Sequence, residues 1–356
     1  MAVASRSHKK RTQNGQIKYR YWIWSFVFFI LLFGFAIYYF SDIRKGLIML
    51  KRVKVYWLVI AIIAQFATYV LTAVSYSSLL KTFQLKNTPR LWQLTKASMV
   101  LLFFNQTIPS AGLSGNTYFF KFLRKYGVSR AKSLSLILLE LLVFYAAMVV
   151  TILALLIISL IFDPKFRAFW APLAAGFTAY LTFALIIIFS GKSNLIGRLM
   201  ENLFNSKIVK WVYRILKRKP PNPNFSRTSV HKKDVLKHKS QVVRAFLFHL
   251  LVIAADAFTL YVLFLGLGYL ISPFVAVLTL ISTRIIALLP FLPGALVLYE
   301  SSMSFFFARA GVPLGAAVVV TIVYRILSFW FPIPVGIVLY RKWVKDEHVD
   351  KVQHTS

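Results

Sequence analysis

An all-α polytopic integral membrane protein is the fold class that this sequence predicts, and three observations predict it. The 356 residues are 58% hydrophobic and 16% aromatic, with a mean hydropathy of +0.68, more apolar surface than one water-soluble core can hide. Long runs lack any Asp, Glu, Lys, Arg or His, among them residues 22–40, 55–80 and 168–190. Each is long enough to cross about 30 Å of hydrocarbon at 1.5 Å per residue. A short pattern also occurs twice, in opposite halves: Pro109 is followed 18 positions later by Gly127 and Val128, and Pro293 is followed 18 positions later by Gly311 and Val312. Each copy leads into an apolar run with one ionisable residue, Glu140 in the first and Arg325 in the second. Such a duplication predicts two repeats facing each other across a membrane, a transporter-like arrangement.

The elements follow in chain order. Residues 1–20 form a basic cytoplasmic tail, and 22–40 is an uncleaved anchor: its leader holds Arg6, Lys9, Lys10, Arg11, Lys18 and Arg20, it is too long for a signal-peptide core, and no small-residue cleavage site follows. The span 55–80 comes next. The segment 97–120 is flanked on both sides by basic clusters that want the same membrane face, Lys81, Lys86, Arg90 and Lys96 before it and Lys121, Arg124, Lys125, Arg130 and Lys132 after it. Broken in its middle from Asn105 through Pro109 to Gly112, it is predicted to dip in from the cytoplasm and return as a re-entrant hairpin. Residues 133–162, interrupted by Glu140, and 168–190 span again.

The loop 191–240 is cytoplasmic, since thirteen Lys and Arg stand there against Glu201 and Asp234. Within it, residues 199–217 read as a basic amphipathic helix, with Met200, Phe204, Ile208, Val212 and Ile215 on one side and Lys207, Lys210, Arg214 and Lys217 on the other. The span 245–265 then crosses outward. Because 315–340 must end inside at Arg341 and Lys342, the segment 272–310, broken around Pro293 and Gly294, starts and finishes outside as the mirror hairpin. The prediction is about six spanning helices plus two re-entrant helical hairpins in two inverted-topology repeats, 55–162 and 245–340, within a transmembrane domain 21–343 and before a cytoplasmic tail 344–356. The basic cluster of Arg44, Lys45, Lys51, Arg52 and Lys54 falls on the outer side, against the charge rule.

Composition narrows the chemistry. The chain has no cysteine, which removes disulfides, thiolate catalysis and thiolate metal sites. The net charge of +33 lies between apolar spans rather than in a free basic domain, so anionic lipid headgroups, not nucleic acid, are its expected partner. No nucleophile elbow, Walker lysine loop, His-Glu-x-x-His motif or closely spaced carboxylate pair appears, so no catalytic residue, metal or cofactor is predicted.

A charge at the centre of a membrane helix costs about 2.5–3.5 kcal/mol on insertion scales, so each one needs a partner, a cavity or a headgroup. Glu140 and Arg325 either pair to fix packing or meet a lipid headgroup along a path. Glu300 either binds an ammonium or bridges to Arg284 or Arg309. His249 and Asp256, seven apart on one helical face, either carry a proton or bond to neighbouring helices. Asn105, Gln106 and Thr107 offer uncharged polar groups at the first break, for a ligand or for ordinary capping.

The stretch from Asn105 to Asn116, running on through residues 123–129 to Leu139, Glu140 and Leu141, resembles the first signature of the lysylphosphatidylglycerol synthase transmembrane, or flippase-like, family. Residues 293–300, then Gly311 to Pro313 and Tyr324 to Trp330, resemble its second. The resemblance covers 21–343. It implies a multi-pass protein of the cytoplasmic membrane, both termini inside, that moves aminoacylated or otherwise modified phospholipid, or a lipid-linked intermediate, between leaflets. The alternative is an integral-membrane lipid-linked transferase or an accessory subunit of a lipid- or glycan-modifying enzyme. The substrate path would comprise Glu140, Glu300, Arg325, Arg284, Asn105, Pro109, Asn116, Pro293 and Gly294. Family members commonly carry an acidic residue where this chain has Asn116, so a carboxylate role does not carry over there. Few residues follow Trp343, so the membrane domain is expected without the soluble aminoacyl-transferase domain of the full-length synthases. A second copy of the chain and a separate soluble transferase are the protein partners this reading allows.

Overall fold

The computed structural model describes residues 54–83, 88–108, 112–162, 164–190, 237–288, 295 and 297–353. The predicted span 22–40, most of the cluster 44–54, Pro109, Pro293, Gly294 and the predicted helix 199–217 lie outside the described residues.

The described residues are helical throughout. Four long helices are α1 (Val55–Thr82), α4 (Arg130–Phe162), α5 (Trp170–Ser190) and α6 (Lys239–Gly266). Two pairs of short helices lie between them: α2 (Leu91–Thr107) with α3 (Leu113–Lys125), and α7 (Pro273–Ile286) with α8 (Leu298–Arg309). A last rod comprises α9 (Leu314–Arg325), a π-helical turn (Ile326–Trp330) and α10 (Pro332–Gln353). Five segments among the described residues are long and apolar enough to cross a membrane: α1, α4, the α5 region, α6 and the rod from Leu314 to Lys345. Large apolar side chains stand out on their surfaces, among them Ile63, Leu160, Ile161, Phe189, Leu247 and Val338. In water this coat would be an aggregation surface; in hydrocarbon it faces its proper solvent, and each helix satisfies its own backbone. The chain is a multi-pass membrane protein.

Helices α1 and α6 form the spine. Ser75 Oγ donates to the Ala245 carbonyl at 3.5 Å and Gln65 Nε2 to Asp256 Oδ1 at 3.2 Å, so contact moves ten residues back along α1 as it moves eleven forward along α6. They run antiparallel, and Lys54 N–H meets the Gly266 carbonyl at the far end. Around this spine lie three apolar clusters: one centred on α6 to α9, one on α1 to α4, and one on α4 to α7.

The duplicated Gly-Val pair has one physical explanation in both copies. Gly127 ends α3 at φ +76° and Gly311 ends α8 at φ +92°, left-handed conformations that cost a glycine no Cβ clash. The following valine N–H turns back onto the carbonyl five residues earlier, Val128 to Leu123 at 3.3 Å and Val312 to Phe307 at 3.0 Å, and its side chain is buried. Each pattern is thus a C-terminal stop followed by a turn into a long helix.

Candidate functional site

Among the described residues, three ion pairs lie inside the bundle. Asp256 on α6 is 5% exposed, and its Oδ2 accepts from Arg284 on α7 while Oδ1 accepts from Gln65 on α1. Three helices therefore converge on one carboxylate. Gln65 must present Nε2 to that acceptor, which leaves its Oε1 buried with no hydrogen bond.

Glu300, in the first turn of α8, accepts from Arg325 Nε at 2.6 Å. The Arg325 guanidinium lies 4.4 Å from the Tyr299 ring centroid and 4.1 Å from that of Phe329, so two aromatic faces flank it in the interior. Glu300 Oε2 is buried without a donor. The Tyr299 ring that faces Arg325 also stands within electrostatic reach of Arg284, so it lies between the second pair and the first.

The third pair stands apart. His249 Nε2 on α6 lies 3.4 Å from Glu140 Oε1 on α4, within ion-pair range but without hydrogen-bond geometry, and both residues are under a tenth exposed. Tyr76 from α1 and Tyr145 from α4 stand within electrostatic reach of Glu140, and the Phe144 ring packs edge-on to His249 at 5.9 Å.

A backbone defect lies beside Arg325, and two of the carbonyls it frees find donors elsewhere in the chain. Phe331 N–H bonds the Ile326 carbonyl at 2.8 Å, five residues back, so the Leu327 carbonyl loses its usual helical donor. Pro332 has no N–H, so the Ser328 carbonyl loses its donor too. Helices of the first half supply both: Tyr69 Oη donates to Leu327 O at 2.8 Å and Gln106 Nε2 to Ser328 O at 3.1 Å. Such π-helical turns recur at functional sites.

At the first break, Asn105 Oδ1 accepts from the Gly115 N–H at 2.9 Å, and Ser114 Oγ donates to the Phe104 carbonyl at 2.9 Å. A Cβ on Gly115 would lie 2.4 Å from the Leu101 carbonyl oxygen, so only glycine lets α3 lie this close to α2. Asn105 therefore serves as a cap and clasp between α2 and α3. Asn116, half-buried on α3, bonds through its backbone N–H to the Gly112 carbonyl at 3.3 Å. Among the described residues no three His, Cys, Asp or Glu side chains gather in a metal-site arrangement.

The structure therefore brings Glu300 to Arg325 and Arg284 to Asp256, and sets Glu140 against His249. The sequence reading passed over a line of uncharged polar groups on α1: Gln65, Thr68, Thr72, Ser75, Ser78 and Thr82, spaced by three or four residues along one face. Five of the six are buried, Thr72 being half-buried. That spacing was visible, but a run without charges reads as uniformly lipid-facing unless its small hydroxyls are plotted on the helix.

A multi-pass all-α bundle with ion pairs sealed among its helices defines the class: an intramembrane protein whose polar chemistry lies within the hydrocarbon layer. The chain belongs to the lysylphosphatidylglycerol synthase transmembrane-region family, whose pattern it matches over residues 22–336. A UPF0104 membrane protein of Pyrococcus horikoshii is 30% identical over 106 residues, 30% of this chain. That match spans 32% of the relative's length.

Proposed function

We propose that this chain carries a phospholipid with a charged headgroup, anionic or aminoacylated, between the leaflets of the cytoplasmic membrane, along the seam that holds Asp256, Arg284, Glu300 and Arg325. One observation carries the reading: two ion pairs with Tyr299 between them lie inside the bundle, and the groups left over beside them, Gln65 Oε1 and Glu300 Oε2, are acceptors without donors. A headgroup exchanging with the internal partners would find both signs of charge already desolvated there.

The finer architecture belongs to the same proposal. Helices α2, α3, α7 and α8 are about 26, 20, 21 and 18 Å long at 1.5 Å per residue, short of the hydrocarbon thickness, which supports two re-entrant pairs. The antiparallel α1 and α6, each opening one half, support an inverted repeat. Lys132 Nζ donates to the Phe83 carbonyl, so the start of α4 and the end of α1 share one basic end, which supports cytoplasmic placement of that end and of both termini.

The test is reconstitution of purified protein into vesicles of phosphatidylglycerol and phosphatidylethanolamine with trace fluorescent phosphatidylglycerol or lysyl-phosphatidylglycerol. Leaflet-resolved quenching should show faster exchange than in protein-free vesicles. Rates no faster than those of protein-free vesicles, for both probes, overturn the proposal.

A further inference from the structure

The polar line on α1 and the Glu140–His249 pair are not needed to hold a headgroup, and together they describe something else. From the basic end inward, Thr82, Ser78 and Ser75 follow one another on one face of α1; Ser78 Oγ donates to the Val74 carbonyl at 3.0 Å and Ser75 Oγ to the Ala245 carbonyl, four residues before His249. Gln241, one further turn back along α6 and two turns before His249, adds an amide. Thr82 Oγ1 and Gln241 Oε1 are buried oxygens with no hydrogen bond, and His249 Nε2 is likewise unbonded. Around them the packing is apolar: Ala73, Leu79, Leu80 and Ala245 belong to one hydrophobic cluster. Unused hydrogen-bonding capacity in an apolar interior is costly and calls for an explanation.

We propose that Glu140 and His249 bind one proton between them, that the proton arrives from the basic end along the hydroxyls of α1, and that its binding and release couple to lipid movement. This rests on the translocase reading for the coupling, though not for the proton site. The balance is simple. With Glu140 ionised and His249 neutral the pair carries one negative charge; taking up one proton makes it neutral overall, whichever of the two residues holds the proton. A net charge inside the bundle opposes movement through hydrocarbon and a neutral pair does not, so the loaded and empty states favour different arrangements.

The surroundings leave this pair free to do so. Facing it are Tyr76 from α1, Tyr145 on α4, and Tyr180 of α5 behind the Phe144 ring. The nearest charges along the chain are engaged or outside: Asp256 is held by Arg284, Lys132 donates to the Phe83 carbonyl, and Arg244 is exposed. The sequence left His249 and Asp256 either to carry a proton or to bond to neighbouring helices; Asp256 is bonded to Arg284 and Gln65, and Glu140 lies beside His249.

The experiment has two arms on the full chain in lipid. In the first, solid-state ¹⁵N spectra of histidine-labelled protein are recorded between about pH 5 and pH 8, with His249→Gln assigning the signal. The His249 imidazole should titrate, and over a different pH range in Glu140→Gln; an invariant signal, or one indifferent to Glu140, overturns the site. In the second, exchange of fluorescent phosphatidylglycerol is measured with and without an imposed pH gradient. The gradient should change the wild-type rate severalfold, and the ratio should fall to about one in His249→Gln. A wild-type rate indifferent to the gradient overturns the coupling. Absence of any lipid exchange counts against the translocase reading instead, and the spectra then decide the proton site alone.

Discussion

The two short-helix pairs share their Gly-Val ends, yet they are wired differently. The α2–α3 pair closes on itself through uncharged groups: Asn105 on Gly115, Ser114 on Phe104, and a glycine contact too tight for any Cβ. The α7–α8 pair sends its charges outward, Arg284 to Asp256 on α6 and Glu300 to Arg325 on α9. Its second helix is also entered under strain, because Ala295 and Val297 hold φ values of +51° and +70°, and for a β-branched valine that conformation is an outlier. A pair bonded to itself is a rigid wedge. A pair bonded to its neighbours moves whenever those bonds exchange, and its three unbonded hydroxyls, Thr279, Ser282 and Thr283, leave room for other arrangements.

That contrast is open to attack at specific residues. The largest effect is expected at Arg325→Ala, which leaves the half-buried Glu300 without its partner: stability falls by about 3 kcal/mol and lipid exchange is lost. The double variant Glu300→Leu with Arg325→Met should regain most of the stability, measured by thermal unfolding in nanodiscs, while exchange stays lost. Recovery of exchange would show that the second pair needs packing and not charge.

Next is Gly115→Ala, whose Cβ would press on the Leu101 backbone carbonyl. It should cost about 1–3 kcal/mol and separate the first pair, read as faster hydrogen exchange in α3. If α3 keeps its protection, the wedge is held by something other than this contact.

Gly127→Ala and Gly311→Ala each place a Cβ at positive φ and should cost about 1–2 kcal/mol. Similar losses in the two are expected, because the stops are alike; a Gly311 effect well below that of Gly127 would show that strain in the second pair is relieved by local rearrangement. Asn105→Ala removes one acceptor at the start of α3 and should cost about 1 kcal/mol, with lipid exchange retained. Loss of exchange at unchanged stability would instead make Asn105 part of the path.

Much of the helical framework was legible because hydrocarbon imposes a simple code. The expected spans 55–80 and 133–162 correspond to α1 and α4 with ends moved by two or three residues. α6 starts six residues earlier than expected, at Lys239, because Lys239, Ser240, Gln241 and Arg244 are tolerated in the helix at its basic end. Ion-pair partners were a different matter. Spacing marked Glu140 and Arg325 as corresponding charges of two copies, yet their partners are His249 and Glu300. Which helix faces which is decided by close approaches such as Gly176 on Ile285 or Gly336 on Phe103, and no local pattern announces the partner of such a contact. The π-helical turn was not anticipated: the span 315–340 was read as continuous across Pro332 and Pro334, and the donors from Tyr69 and Gln106 come from the other half of the chain.

That turn has a geometric consequence. A π-helical turn spends one residue more than an α-helical turn, so it sets the phase of everything after it by about 100° and the rise by about 1.5 Å relative to a straight α-helix. The face of α9 that offers Arg325 to Glu300 and the face of α10 that lays Gly336 against α2 are in register only while the extra residue is held in place. If Tyr69 and Gln106 release it and the turn regularises, α10 must rotate or Arg325 must swing. The rod from Leu314 to Gln353 is a gear with one movable tooth, and the first half of the chain holds the tooth.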